Sequence, residues 1–140
     1  MTDRMPPPNS SHRDLIDAQV ITLTLPLALR HASTARIVAA SLAADAGFSV
    51  DEIDDLRLGI NEVVSVLVDH GSTDPDARLS IEFRVVPGRV EAIATRTDQA
   101  GTVEIDDLAQ LILDAVTDHY ELSADGFSLS KTAAHRDDAD

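Results

Sequence analysis

Residues 48–71 read FSVDEIDDLRLGINEVVSVLVDHG, and the rest of the chain is organised around them. Ser49 is a good N-cap, and Glu52 three positions on completes a capping box; Phe48 and Ile53 occupy the two positions of a hydrophobic staple. Asp51, Glu52, Asp54 and Asp55 crowd the first turns, where the helix dipole favours negative charge. Apolar residues then recur at Ile53, Leu56, Ile60, Val63, Val64 and Leu67, the spacing of one buried helical face. Gly71 stands where a C′ glycine would stop the helix. The spacing predicts a helix of about five to six turns.

A chain of 140 residues predicts one domain with a true core. That core must be aliphatic, because the sequence holds three Phe, one Tyr and no Trp. The lack of cysteine excludes disulfides, a thiol nucleophile and thiolate metal sites. A net charge of −14 argues against nucleic acid and anionic membranes as partners. It suits a basic protein partner, although acidity also serves solubility. No run approaches the length of a membrane span and the N-terminus lacks a signal-peptide core, so a soluble, cytoplasmic protein is expected.

Outward from the central helix, residues 1–19 are polar, carry Pro6, Pro7 and Pro8, and read as a disordered lead-in. Val20 to Leu25 alternates Ile21, Leu23 and Leu25 with Thr22 and Thr24, a strand pattern. Ser33 to Ala46 reads as an alanine-rich helix with Ile37, Val38 and Leu42 inward and Gly47 as its stop. Arg78 to Val86 is a strand with Leu79, Ile81, Phe83 and Val85 on one face; the Pro87-Gly88 turn returns the chain through Arg89 to Thr97. Ile105 to Tyr120 reads as a third helix with Ile105, Leu108, Leu111, Ile112, Ala115 and His119 on its inner side, and Phe127 to Thr132 as a last strand. Residues 134–140 form an acidic tail, which leaves 20–133 as the domain. The order β-α-α-β-β-α-β, with no internal repeat, predicts a two-layer α+β sandwich of four strands and three helices.

Few residues stand out chemically. Glu62 borders the buried helical face, where a carboxylate could orient a water or hold a hydroxyl for phosphoryl transfer; the simpler reading is a half-buried Glu with a solvated head. Asp98, at a strand end before Gln99-Ala100-Gly101, could accept a hydrogen bond from a ligand amine or merely serve a turn. Gly101 alone is a weak phosphate-loop signal, since a cradle needs several free backbone N–H groups. The five histidines show no metal-ligand spacing, and no serine lies in a nucleophile-elbow context.

The segment DLRLGINEVVSVLVDHG and the element order together resemble the anti-sigma-factor serine/threonine kinases of the GHKL ATPase superfamily. The resemblance is one of pattern and covers roughly Val20 to Thr132. It implies a histidine-kinase-like fold with a mixed four-stranded sheet, a Glu that activates the attacking group, and an Asn four residues later that ligates Mg²⁺ on ATP. Glu62 takes the first position; the second falls on Val66, which has no ligand atom. In the family's Asp-x-Gly-x-Gly motif Asp98 matches the adenine-reading Asp, while the glycine positions hold Ala100 and Thr102, with Gly101 between them. The family's lid and the Gly-rich start of the next helix have no counterpart in DDLAQLILDAV.

These departures remove a metal ligand, a close backbone approach and a closing lid from a reaction that depends on positioning and electrostatics. The expectation is a divergent, actinobacterial-type anti-sigma factor with a degenerate ATP site and no metal site. It would sequester a sigma factor in a stress-response switch and be countered by a STAS-domain anti-anti-sigma factor. The resemblance places partner binding around the first helix, near Arg36, and implies homodimerisation. Two other readings stay open: an active Mg-ATP-dependent serine kinase using Glu62 and Asp98, and a non-enzymatic interaction module of another pathway.

Overall fold

The computed structural model describes residues 18–69, 74–98, 104–123 and 126–134. Its elements in chain order are β1 (Gln19–Pro26), a 3₁₀ turn (Leu29–His31), α1 (Ala32–Asp45), α2 (Val50–Asp69), β2 (Arg78–Val86), β3 (Arg89–Arg96), α3 (Asp107–Val116), β4 (His119–Leu122) and β5 (Gly126–Thr132). The central helix begins as its sequence requires. The Ser49 amide donates to Glu52 Oε1 at 2.7 Å and the Glu52 amide to Ser49 Oγ at 3.1 Å, a reciprocal capping box. Just before it, α1 ends on Gly47 at φ +92°, with the Phe48 amide on the Ala43 carbonyl and the Gly47 amide on Ala44, the Schellman arrangement. Gly71 and residues 1–17 lie outside the described residues.

The strands form one five-stranded sheet in the order β1-β2-β3-β5-β4, every pairing between described strands being antiparallel. This corrects the expected mixed, four-stranded sheet. The missed strand is His119–Leu122, which the apolar periodicity had absorbed into the third helix. That helix stops at Val116 because Thr117 turns extended (ψ 159°) while its hydroxyl and amide both bond back to the Leu113 carbonyl. Four residues then suffice to pair with β5, Tyr120 opposite Leu129 and Leu122 opposite Phe127.

All three helices pack on one face of the sheet. Leu79, Ile81, Phe83 and Val85 of β2, Val90, Ala92 and Ala94 of β3, and Phe127 and Leu129 of β5 point inward and meet Leu56, Ile60, Val63, Val64 and Leu67 of α2. The opposite face carries the polar members of the alternation, as an antiparallel sheet with one wet side should.

The flanking helices correct part of the sequence reading: Val38, Leu42 and Ile105 pack against the core as expected, and Ile37, Leu108 and Leu111 do not. In α1 the buried residues are Ala32, Ala35, Ala39 and Ala43; Val38 and Leu42 are partly covered, and Ile37 is 68% exposed. In α3 the buried residues are Ala109, Leu113 and Val116, while Leu108 and Leu111 are 65% and 67% exposed. α1 turns small side chains inward because backbones can then approach closely, whereas α3 buries Leu113 and Val116 beside Ala109 and leaves two other leucines outside.

α2 and the C-terminal end of α3 meet closely. A Cβ added to Gly59 would lie 3.3 Å from both Leu129 Cδ2 and Thr117 Cγ2, so the backbone of α2 sits against the C-terminal end of α3. Lys131 clamps the same end: its buried ammonium donates to the Val116 carbonyl at 3.1 Å and pairs with Asp55 at 3.6 Å. Towards Asp69 a cleft opens beside α2.

Candidate functional site

The cleft has a volume of about 380 Å³ and lies between Glu62, Ser65, Val66 and Asp69 of α2 and the segment Glu104–Ile112. Residues 62, 65, 66 and 69 share one side of α2, as 3.6-residue periodicity requires. The far wall is apolar through Ile105, Leu108 and Ile112, and Glu104 and Asp106 stand at its N-terminal end. Four carboxylates therefore line this space, and none of the described lining residues is basic.

Burial pushes the Glu62 carboxyl above its ordinary value, and the nearby Asp106 charge pushes in the same direction. A hydrogen bond from Asn61 opposes both. Asn61 is in turn held from α1, where Arg36 Nη1 donates to Asn61 Oδ1 at 2.6 Å. Arg36 is thus half-buried and linked to Glu62 through one intervening amide.

Asp106 also closes the N-terminus of α3. It is the N-cap, its Oδ1 accepting from the Ala109 amide at 2.8 Å, and Asp107 adds a second charge in the first turn. A helix N-terminus is a ready anion site only while its N–H groups are free to face the anion. Here a carboxylate of the chain itself takes that place.

Of the residues singled out by sequence, Glu62 and Val66 are brought together at the cleft, Val66 buried one turn beyond Glu62. Asp98 is not among the residues lining the cleft. It pairs at 3.3 Å with Arg96 Nε, and the Arg96 side chain is fully buried, its Nη1 donating to the Leu67 carbonyl near the end of α2. Gly101 lies outside the described residues. Arg36 sits on α1 beside Asn61, away from the cleft lining. Among the described residues no group of His, Asp and Glu is arranged to hold a metal ion, and no helix is long and apolar enough to cross a membrane.

Sequence reasoning missed Arg96, Asn61, Asp69 and Asp106. Arg96 was discoverable: it follows Val90, Ala92 and Ala94 at the inward positions of an alternating strand, and a charge there must find a buried partner. Asp69 falls on the Glu62 side of the helix by spacing alone, and Asp106 is a plausible cap before an apolar run. Nothing local marks Asn61, whose partner is 25 residues away.

No protein-family model matches the chain. The serine-protein kinase RsbW of Listeria innocua is 25% identical over 103 residues, covering 66% of this chain and 66% of that protein. RsbW of Bacillus subtilis is 26% identical over 95 residues, covering 67% of this chain and 58% of its own length. The chain thus spans somewhat over half to about two-thirds of these curated relatives. A crystal structure of the RsbU and RsbW domains of Rv1364c from Mycobacterium tuberculosis superposes with a TM-score of 0.56 at 20% identity, over 82% of this chain and 32% of that one. The shared fold and the sequence matches make the chain a distant relative of the RsbW serine-protein kinases.

Proposed function

We propose that the chain is an anti-sigma regulatory factor which sequesters a sigma factor by binding alone, is countered by a STAS-domain antagonist, and does not use Mg-ATP. The observation that carries the non-catalytic half of this reading is the charge of the cleft. A phosphate drawn to about 4 Å from one of its carboxylates is repelled by about 4 kcal/mol at the effective dielectric of ~20 found near protein surfaces. The α3 dipole would return only about 0.3–1 kcal/mol, and the Ala109 amide is already taken by Asp106. A bound Mg²⁺ would offset the repulsion, but Val66, which has no ligand atom, stands at the expected ligand position. Asp98, the counterpart of the adenine-reading Asp, is engaged by Arg96. These residues do not fit Mg-ATP.

The regulatory half rests on the distant relationship to RsbW and on the anti-sigma-factor family that the sequence resembles. In this reading the sigma factor docks on α1, where exposed Ile37 adjoins Arg36. Purification of the tagged chain from its own cells, with mass spectrometry of what accompanies it, should recover a sigma factor in stoichiometric amount. Recovery of no sigma factor across growth and stress conditions would overturn the proposal.

One observation favours the rival serine kinase. Glu62 lies in a cleft with its carboxyl raised towards the range useful to a general base. Saturable Mg-ATP binding that is lost in Asp98→Asn would establish that rival; no binding at millimolar nucleotide removes it.

A further inference from the structure

α3 has two apolar faces and the core uses one of them. Ala109, Leu113 and Val116 go inward, which leaves Leu108, Leu111, Ile112 and Ala115 as a second stripe at i, i+3, i+4 and i+7. Single exposed leucines are ordinary, but a contiguous apolar stripe on a surface helix is not. Leu108 and Ile112 also form the apolar wall of the cleft, so groove and stripe are one continuous surface. Across it stand Glu62 and Asp69, and at its head Glu104 and Asp106.

We propose that this surface docks a basic amphipathic helix of a partner protein, its apolar residues laid on Leu108, Leu111 and Ile112 and its Lys or Arg residues reaching the cleft carboxylates. Charge selects this occupant. An apolar helix face seated in a groove supplies affinity, and complementary charge at the rim fixes register and excludes wrong partners. A second copy of a chain of net charge −14 would set carboxylates against carboxylates. The chain's own N-terminal segment is no better suited, since residues 1–17 carry two arginines against three aspartates. The inference rests on the reading that the cleft holds no Mg-ATP, because nucleotide there would occupy the same carboxylate-lined space.

The test uses the full chain and a fluorescent Leu/Lys amphipathic peptide of about five helical turns, followed by anisotropy, with a Leu/Glu peptide of the same pattern as control. The Lys peptide should bind saturably and the Glu peptide should not. Leu111→Gln, at a position exposed enough to leave folding intact, should weaken binding about tenfold, as should the pair Glu62→Gln/Asp69→Asn. The pair Asp45→Asn/Asp51→Asn removes as much charge from exposed sites away from the cleft and should change nothing. Equal weakening by both charge pairs, or none with Leu111→Gln, would overturn the docking site. A parallel titration with a fluorescent ATP analogue and Mg²⁺ separates the two claims. Nucleotide that binds and displaces the peptide refutes the nucleotide-free reading while supporting the surface; binding of neither ligand refutes the surface and leaves that reading standing.

Discussion

α1 and α3 flank the same central helix and solve the same packing problem differently. α1 offers a ridge of four alanines, Ala32, Ala35, Ala39 and Ala43, and keeps Ile37 outside. α3 offers Ala109, Leu113 and Val116 at a face tied down by Lys131 and keeps two leucines outside. The difference lies in how far each contact runs. The alanine ridge spans about three turns, whereas α3 lies close to α2 at Gly59 and is separated from it by the cleft further along. The cleft lies between α2 and the α3 segment, so that partner carries the candidate site.

The largest test of this contrast lies within α3 itself. Leu113→Ala should cost about 2–5 kcal/mol, because Leu113 is fully buried and its removal leaves a cavity, while Leu111→Ala two positions earlier should cost less than about 0.5 kcal/mol. Urea denaturation of the two variants measures both; equal costs would mean that the outer stripe is covered in solution. On α1 the contrast is reversed in sign. Ala39→Leu should overpack the ridge and cost about 1–3 kcal/mol, whereas Ile37→Ala should leave the unfolding midpoint nearly unchanged; a harmless Ala39→Leu would show that the ridge has room. Ser49→Ala removes the cap of the helix both partners share and should cost about 1 kcal/mol, with the urea slope unchanged.

The smallest effect concerns the cleft. A carboxyl whose folded-state pKa is raised favours the folded state when protonated, so its contribution to stability is present at low pH and lost as pH rises through the folded value. Glu62→Gln should therefore stabilise the protein slightly near neutral pH, and the gain should vanish as pH falls below the ordinary Glu value of 4.5. A gain that persists at low pH would mean that Glu62 is not the group responsible. Arg36→Met should release Asn61 and enlarge the Glu62→Gln effect, since Asn61 would no longer be held for its hydrogen bond to the carboxylate.

Much of the frame was readable in advance. The cap and apolar period of α2, the alternation of β1, β2 and β3 and the Pro87-Gly88 turn are local signals, and each reappears at nearly the expected residues. Reading failed where two patterns competed. Leu108, Leu111, Ile112 and Ala115 make as regular a helical stripe as Ala109, Leu113 and Val116, so periodicity could not separate the faces and took the outer one; Ile105, just before α3, does pack against the core. The same stripe, extended to His119, concealed β4. Of the site, Glu62 and its relation to Val66 follow from helical spacing; the carboxylates facing them do not, because they come from a segment some forty residues away.

The sequence alone determined what depends on neighbours along the chain: where α2 starts, which of its residues repeat on one side, and which strands alternate. It also set the acidity and the absence of a ligand atom at Val66. Only the tertiary structure decided which face of α1 and α3 goes inward, that Arg96 holds Asp98, and that Arg36 reaches Glu62 through Asn61. Burial is a competition between partners distant in sequence. Close backbone approach favours an alanine over a leucine wherever the opposing helix is near enough, and that proximity is a property of the assembled fold.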